Sequence, residues 1–338
     1  MIKVVHQFRF ALIGCGNIAN RHAENILRIG KLIAVCDNDK QRALQFAATY
    51  NCLPYFDFDD LLKNETGIDI IVLCTPNGLH AEQSIKILQS GKNVLCEKPL
   101  CLNISDGLKM QTAETLSTQK LFLVQSSRFN PIVVQLKKLL VDKSFGTVHN
   151  FQLNCFWNRP SSYYENSWRG TLSMDGGLLF TQFSHYIDAL LWLFGDIETI
   201  TGFRKNFSHQ DNIEFEDNGV AAIQMTNGVI GGINWSVNSY QKNMEISLTL
   251  IAEKASIRIG GEYMNEIDYQ LTDGFDLDIS QQVSSKDKPL KGLGSNHDKI
   301  YDHLLYSLQQ KASSISSLAD GLKTVAAIET IYNSIPLS

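Results

Sequence analysis

Two closely spaced glycines near the N-terminus lie where a tight turn could contact a ligand. The segment Gly14-Cys15-Gly16-Asn17-Ile18-Ala19 follows an apolar run and opens a helical pattern. Its Gly-x-Gly-x-x-Ala spacing permits a tight turn and a close approach of the backbone to a ligand, and it aims a helix N-terminus at a pyrophosphate. Because glycine turns after strands are also common without a ligand, the prediction depends on the residues and elements that follow.

An acidic residue, Asp37, ends the next apolar run, 23 residues after Gly14. Its carboxylate can accept hydrogen bonds from both hydroxyls of an adenosine ribose, and it repels a 2′-phosphate. Asn38 follows it, and the basic residues Lys40 and Arg42 come later. We therefore predict NAD, with NADP as the weaker alternative because a basic side chain could balance the phosphate. The other interpretation of Asp37 is a solvated charge at a strand end.

Two further turns place polar residues beside proline. Cys74-Thr75-Pro76-Asn77-Gly78-Leu79-His80 follows the third apolar run, and Glu97-Lys98-Pro99-Leu100 follows the fourth. Ligands of open parallel sheets bind at the carboxyl ends of the strands, where these turns would lie. An ammonium group there can exchange a proton with a hydroxyl that becomes a carbonyl, provided burial and a nearby cation lower its pKa. Pro99 keeps Lys98 in extended backbone, which helps to aim it.

The elements that position these turns alternate between strand and helix. Apolar runs at residues 10–14, 31–36, 68–74, 93–96 and 121–124 predict five strands, and the segments between them show helical spacing. This alternation predicts an α/β fold with a doubly wound parallel sheet in residues 1–125.

The rest of the chain, residues 126–338, is patterned differently. Seven strand-like runs, at residues 148–157, 199–205, 219–225, 229–237, 245–251, 255–259 and 267–271, follow one another with few helices. We expect an open, mainly antiparallel sheet. Helices are predicted at 131–141, 178–194, 297–310 and 318–334, and a mobile loop at 284–295.

Composition limits the class of protein. With 44% hydrophobic and 19% charged residues, the 338-residue chain is typical of two globular domains and not of disorder. A formal charge of −5 disfavours a nucleic-acid partner. The apolar stretch at 178–194 is shorter than the roughly 20 residues of a membrane span. The seven cysteines form no Cys-x-x-Cys pair; we predict free thiols, no metal site and a cytoplasmic protein.

In combination, Thr75-Pro76-Asn77-x-x-His80 and Glu97-Lys98-Pro99 resemble the motifs of the Gfo/Idh/MocA family of sugar oxidoreductases. The resemblance extends through essentially the whole chain and includes Arg128-Phe129-Asn130-Pro131 and Asp320-Gly321. It implies a Rossmann domain followed by a substrate domain with an open sheet, a sugar substrate, and a homodimer or homotetramer. It also implies that Lys98 is a catalytic residue beside the nicotinamide.

The resemblance points to a second catalytic candidate, His185, in Gly176-Gly177-Leu178 through Asp188. The family usually has an aspartate four residues before this histidine, where this chain has Thr181, so an Asp-His dyad is not expected. His185 suits a general acid or base because its ordinary pKa is near neutral. The alternative is a core histidine. Asp188 either orients the His185 ring or lies on the helix surface.

The string Ser167-Trp168-Arg169-Gly170-Thr171, with Thr181-Gln182-Phe183-Ser184-His185, resembles one subgroup of that family, the WlbA-type 3-dehydrogenases. These oxidise C3 of UDP-N-acetylglucosaminuronate in surface polysaccharide biosynthesis. The resemblance implies that Trp168 and Arg169 reach the cofactor. Arg128 and Arg159 are candidates for the carboxylate or diphosphate of the substrate because guanidinium groups match such oxygens. A structural ion pair is the alternative for each arginine, and Tyr163 could stack on the substrate or only pack.

These arguments define two predicted residue sets. The cofactor-binding set is Gly14, Cys15, Gly16, Asn17, Ile18, Asp37, Asn38, Thr75, Pro76, Asn77, His80, Glu97, Lys98, Gln125, Trp168 and Arg169. The substrate-binding set is Arg128, Arg159, Tyr163, Thr181, Gln182 and His185. The leading functional hypothesis is an NAD-dependent nucleotide-sugar dehydrogenase. The alternatives are a free sugar or polyol dehydrogenase, a ketosugar reductase, and a non-catalytic NAD-binding sensor.

Overall fold

The computed structural model describes residues 7–278, 296–310 and 316–338. The chain divides into two compact units, Met1–Gln125 with His297–Val325, and Ser126–Asn296 with Ala326–Ser338. Whereas the sequence predicts a second domain that runs from 126 to 338, residues 297–325 belong to the first unit. The loop predicted at 284–295 lies outside the described residues.

The first unit alternates strands and helices along most of its length. Its elements are β1 Arg9–Ile13, α1 Asn17–Ile29, β2 Lys31–Cys36, α2 Lys40–Tyr50, β3 Leu53–Tyr55, α3 Phe58–Asn64, β4 Ile70–Leu73, α4 His80–Gln89, β5 Asn93–Cys96, α5 Ile104–Leu116, β6 Leu121–Leu123, α9 His297–Gln310 and the first part of α10 Leu318–Ser334.

Its six strands form one parallel sheet in the order β3-β2-β1-β4-β5-β6. The residues of β4 are fully buried, as an apolar run covered by helices on both faces requires. The strand order reverses between β1 and β4, and this topological switch point is where dinucleotides bind in doubly wound sheets. The predicted Rossmann fold is confirmed.

The sequence analysis misses strand β3. This strand is only three residues long and contains Pro54. A proline cannot donate to a sheet hydrogen bond, which restricts it to edge positions, and β3 is an edge strand. The apolar periodicity that reveals the central strands is too short to detect here.

The second unit consists of a sheet and a few helices. Its elements are α6 Pro131–Val141, β7 Val148–Phe156, α7 Leu178–Thr181, α8 Ser184–Phe194, β8 Ile197–Lys205, β9 Asn218–Met225, β10 Ile230–Ser236, β11 Glu245–Ala252, β12 Ala255–Gly260, β13 Glu266–Thr272 and the end of α10. The strands form a seven-stranded sheet in the order β13-β12-β11-β7-β10-β9-β8. Among the described strands of this second sheet, only β7 and β10 pair in parallel, which confirms the mainly antiparallel sheet.

The predicted helix at 178–194 is two helices. Helix α7 ends at Thr181, and α8 begins at Ser184. The apolar pattern is continuous across the break, so periodicity alone could not reveal it. Within the described parts of the chain, no helix has the length and apolar character needed to cross a membrane.

Candidate functional site

Backbone geometry explains the first glycine of the turn after β1. Gly14 has φ of +90°, a conformation that L side chains rarely adopt, and an added Cβ would lie 2.5 Å from the carbonyl oxygen of Cys74. Its N–H donates to the Cys36 carbonyl at 2.8 Å. Gly14 therefore holds the ends of β1, β2 and β4 close together.

The second glycine is not required by the protein itself. Gly16 has φ of −79°, which any residue adopts, and no heavy atom lies within 4 Å of an added Cβ. It precedes the 13-residue helix α1, and no side chain caps that end. A helix N-terminus without a capping side chain, beside open space at Gly16, fits the pyrophosphate of a dinucleotide.

We expect Gly16→Ala to weaken NAD binding by about tenfold or more without loss of stability, because the new methyl group meets only the ligand. Isothermal titration with NAD measures the affinity, and urea denaturation measures the stability. Gly14→Ala is the matched control, since strain and a clash should make it unfold at lower urea. Unchanged NAD affinity in Gly16→Ala would contradict a pyrophosphate at this helix end.

Asp37, after β2, is buried and ties the strand end to the glycine turn. Its carboxylate accepts the Cys15 N–H at 2.8 Å and the Asp39 N–H at 2.9 Å. Arg42 Nη1 lies 3.3 Å from the same carboxylate. Asp37 is thus oriented in the position predicted for a ribose contact. Its partner Arg42 supplies the positive charge that the sequence analysis associates with NADP.

A buried histidine joins the two proline turns. His80 Nδ1 lies 2.7 Å from the Pro99 carbonyl oxygen, and Nε2 lies 3.0 Å from that of Thr75. Burial lowers the pKa of His80, and the contacts with Pro99 and Thr75 only partly offset this effect. The Lys98–Pro99 peptide is cis. His80 is therefore a structural link between the turns, a role that the sequence analysis does not distinguish from cofactor contact.

The remaining predicted cofactor residues of the first unit differ in exposure. Asn17 and Asn38 are exposed, Ile18, Thr75, Pro76 and Lys98 are half-buried, and Asn77 is buried. Gln125 is also buried, and its Oε1 accepts the Ser316 hydroxyl at 3.0 Å. Their cofactor contacts stay predictions.

In the second unit, Thr181 lies beside a carboxylate. Its hydroxyl donates to the carboxylate of buried Asp175, which also accepts the Gly170 N–H at 2.8 Å. His185 is half-buried in the first turn of α8. A break at Gln182 and Phe183 separates Thr181 from that helix, so the two residues are not one turn apart on a continuous helix as expected.

Two arginines surround Tyr163. The guanidinium carbon of Arg159 lies 5.2 Å from the ring centroid of Tyr163, and that of Arg169 lies 4.7 Å from it. Arg159 Nε donates to Gln182 Oε1 at 3.0 Å, and Gln182 Nε2 donates to the Tyr163 hydroxyl at 3.0 Å. Arg169 also packs on Trp168, 4.9 Å from its ring, and its Nε is buried without a hydrogen-bond partner. We call Arg159, Tyr163, Arg169 and Gln182 the arginine cluster; it is concentrated positive charge suited to an anion.

His209 contacts the backbone of Arg159, one member of the arginine cluster. Its Nε2 lies 2.8 Å from the carbonyl oxygen of Arg159, and its Nδ1 lies 3.1 Å from Asp217 Oδ2. Only the protonated ring can donate to both acceptors. The hydrogen bond with Asp217 raises the pKa of His209 above its ordinary 6.5, although burial opposes it. Burial alone would raise the pKa of Asp217, but hydrogen bonds from His209, Asn238 and backbone N–H groups hold it well below its usual range.

This pair makes folding stability depend on pH. Because the folded-state pKa of His209 is raised, its contribution is complete below the unfolded pKa of about 6.5 and is lost as pH rises through the folded pKa. The difference in unfolding free energy between the native protein and His209→Gln, measured by urea denaturation, should therefore be largest below about pH 6.5 and shrink as pH rises above it. Because both proteins contain the other histidines, taking the difference cancels their contributions to the pH dependence. A constant difference would contradict a charged His209.

Arg128 forms a structural ion pair, which is the alternative to substrate binding given above for this residue. Its Nε and Nη2 donate to the two carboxylate oxygens of Asp188 at 2.9 and 2.8 Å, and both side chains are buried. Asp188 is therefore buried and is not a surface charge. The bidentate contact uses two donors of Arg128 inside the fold, and contact of Arg128 with a substrate stays a prediction.

Two family models match the chain. The model of an oxidoreductase family with an NAD-binding Rossmann fold matches residues 8–125, and the Gfo/Idh/MocA C-terminal domain matches residues 133–258. The WlbA dehydrogenase from Chromobacterium violaceum, solved in complex with NADH and UDP-GlcNAcA, is 33% identical, with 98% of this chain and 94% of that chain covered and a TM-score of 0.88. The chain belongs to the Gfo/Idh/MocA family. It is an NAD-dependent oxidoreductase, as the motifs predict.

Other members of this family that resemble the chain differ in their named substrates. The WlbA dehydrogenase from Bordetella pertussis, also solved with NADH and UDP-GlcNAcA, is 31% identical, with 97% of this chain and 96% of that chain covered and a TM-score of 0.86. Glucose-6-phosphate 3-dehydrogenase from Bacillus subtilis is 24% identical over 98% of each chain. Family membership alone thus leaves the individual sugar open.

Sequence reasoning misses several residues around these sites. His22 and His297 meet Glu97, Tyr301 meets His22, and Asp175 meets Thr181, yet no short motif connects them. No motif contains His209 either. The pairings around Glu97 join residues up to 279 positions apart, and a single sequence carries no local signal for them.

Proposed function

We propose that this NAD-dependent sugar dehydrogenase oxidises C3 of an acidic nucleotide sugar such as UDP-N-acetylglucosaminuronate. The observation that carries the proposal is the arginine cluster, in which two guanidinium groups converge on Tyr163 and one of them retains a buried, unpaired donor. A sugar carboxylate or a diphosphate would satisfy that charge. Two WlbA neighbours solved with UDP-GlcNAcA support this substrate class.

The proposed chemistry is a hydride transfer accompanied by a proton transfer. NAD supplies the hydride acceptor for the ring carbon when it is bound. Lys98 and His185 hold and move the proton of the adjoining hydroxyl, which becomes the carbonyl. Gly16, Asp37 and the helix α1 N-terminus bind and orient the dinucleotide.

The test compares sugars that carry different anionic groups, with NADH absorbance at 340 nm as the measure of turnover. UDP-N-acetylglucosaminuronate should give the highest kcat/KM, above UDP-N-acetylglucosamine, glucose 6-phosphate and free inositol. In Arg159→Met, KM for the acidic nucleotide sugar should rise about 10- to 100-fold. KM for UDP-N-acetylglucosamine should rise less if Arg159 binds the sugar carboxylate, and by the same factor if it binds the diphosphate that both substrates share. Lys242→Met provides an exposed control for loss of one positive charge.

The second candidate is dehydrogenation of a phosphorylated free sugar. It is favoured by the glucose-6-phosphate 3-dehydrogenase that matches over 98% of the chain, and the arginine cluster also suits a phosphate. A kcat/KM for glucose 6-phosphate above that for the nucleotide sugar would select it. NAD binding with no turnover of any sugar would instead favour the sensor alternative.

We also propose a homodimer or homotetramer in the cytoplasm. Support for self-association comes from large apolar side chains on the seven-stranded sheet, with Phe203 77% and Leu271 66% exposed. Light scattering coupled to size-exclusion chromatography measures the oligomeric state, and a monomer at micromolar concentration would contradict the proposal.

A further inference from the structure

A buried cluster lies directly behind the Lys98 turn. It consists of Glu97, which follows β5, His22 from α1, and His297 and Tyr301 from α9; we call it the Glu97 cluster. His22 Nε2 lies 2.9 Å from Glu97 Oε1, and His297 Nε2 lies 3.4 Å from the same oxygen. The Tyr301 hydroxyl lies 2.8 Å from His22 Nδ1. All four side chains belong to the first unit and are buried.

One arrangement of protons satisfies the hydrogen bonds among these four side chains. With neutral rings, His22 and His297 each donate from Nε2–H to the ionised Glu97, and Tyr301 donates to His22 Nδ1. The His297 Nδ1 atom then carries only a lone pair, in agreement with its lack of a hydrogen-bond partner. Burial would raise the pKa of Glu97, but the bonds from His22 and His297 lower it well below 4.5. Burial also lowers the pKa of His297, which favours its neutral ring.

The second carboxylate oxygen connects the cluster to Lys98. Glu97 Oε2 accepts the backbone N–H of Lys98 at 3.0 Å. On the other side of this residue, His80 Nδ1 contacts the Pro99 carbonyl at 2.7 Å. The backbone on both sides of Lys98 is therefore fixed by buried side chains, and one of these supports is held by a helix 200 residues further along the chain.

We propose that the Glu97 cluster is a positioning device for Lys98, in which Tyr301, His22 and His297 orient the carboxylate that anchors the Lys98 backbone. The inference rests on the proposed catalytic role of Lys98. A lysine side chain is long and flexible, and the position and direction of its backbone limit where its amine can lie. A misplacement of about 1 Å at a reacting group can cost 100-fold in rate. Tyr301 is thus a positioning residue and not a catalytic one.

Tyr301→Phe tests the proposal because it removes a single hydroxyl. We expect kcat to fall about tenfold, with KM for the sugar and the Kd for NAD within about twofold of the native values. Tyr306→Phe is the matched control, since the same change is made on the same helix at an exposed side chain. If both variants have the same kcat, the proposal is wrong.

A double-mutant cycle tests transmission through Glu97. The kcat losses of Tyr301→Phe and Glu97→Gln should be strongly non-additive, because both disrupt one chain of hydrogen bonds. Additive losses would show that the hydroxyl acts independently of Glu97. If Glu97→Gln does not fold, His22→Gln takes its place in the cycle.

A readout without turnover separates this proposal from the proposed function. Reductive methylation with [13C]formaldehyde labels the lysine amines, and the Lys98 resonance is assigned by its absence in Lys98→Arg. Tyr301→Phe should shift this resonance, and Tyr306→Phe should leave it in place. If the resonance moves while Lys98→Met retains full activity, positioning stands and the catalytic role fails. If the resonance does not move, the positioning proposal fails.

Elemental analysis showing one bound divalent metal per chain would also overturn the positioning proposal, since His22, Glu97 and His297 would then be ligands.

Discussion

Replacing Lys98 by methionine is expected to lower kcat about 1,000-fold while the Kd for NAD stays within about twofold, since general acid–base catalysis typically contributes 100- to 10,000-fold. Methionine preserves much of the apolar length of the lysine and removes the ammonium group. The side chain is half-buried, and its backbone is held by Glu97 and by the His80 contact with Pro99. The fold of the turn should therefore survive the substitution.

Two measurements make this result specific. Lys109→Met changes an exposed lysine on α5 whose partner is Asp106, and it should leave kcat unchanged. Titration of NAD into Lys98→Met shows whether the cofactor still binds. If Lys98→Met retains more than about a tenth of the native kcat, Lys98 does not carry the proton transfer.

Arg128→Met is expected to destabilise the protein by about 3–5 kcal/mol, because it leaves the Asp188 carboxylate buried without its partner. Both partners are nearly inaccessible, with side chains 6% and 2% exposed. The bidentate geometry also fixes α8 against the turn that contains Arg128. The loss is measured as the change in unfolding free energy in urea.

The double variant Arg128→Met/Asp188→Leu is the control. Replacing both members removes the unpaired charge, so it should recover much of the stability lost by Arg128→Met alone. A substrate-binding role would give a different pattern. If Arg128→Met keeps its stability and instead raises KM for the sugar, the ion pair is not the main function of Arg128.

Much of the architecture follows from local sequence patterns. The strands β1, β2, β4 and β5 are central and apolar, and each runs into a turn whose composition is distinctive. The glycine spacing is a recognisable motif because each glycine has a separate physical cause. Gly14 needs a positive φ, and Gly16 leaves space for a ligand. The second sheet is also predictable from local patterns, because turn residues separate its strands. Edge strand β3 is not predictable, because three residues are too few to show an apolar pattern. The break between α7 and α8 is not predictable either, because the apolar pattern continues across it.

The sequence by itself determined the family, the cofactor class and the identity of the turns that carry Lys98 and Asp37. Only the tertiary structure decided which of the charged residues are paired with other residues inside the fold. It pairs Arg128 with Asp188, places His209 behind Arg159, and surrounds Glu97 with residues from α1 and α9. The physical reason is that turn geometry and periodicity depend on neighbours in sequence, whereas burial and ion pairing depend on neighbours in space.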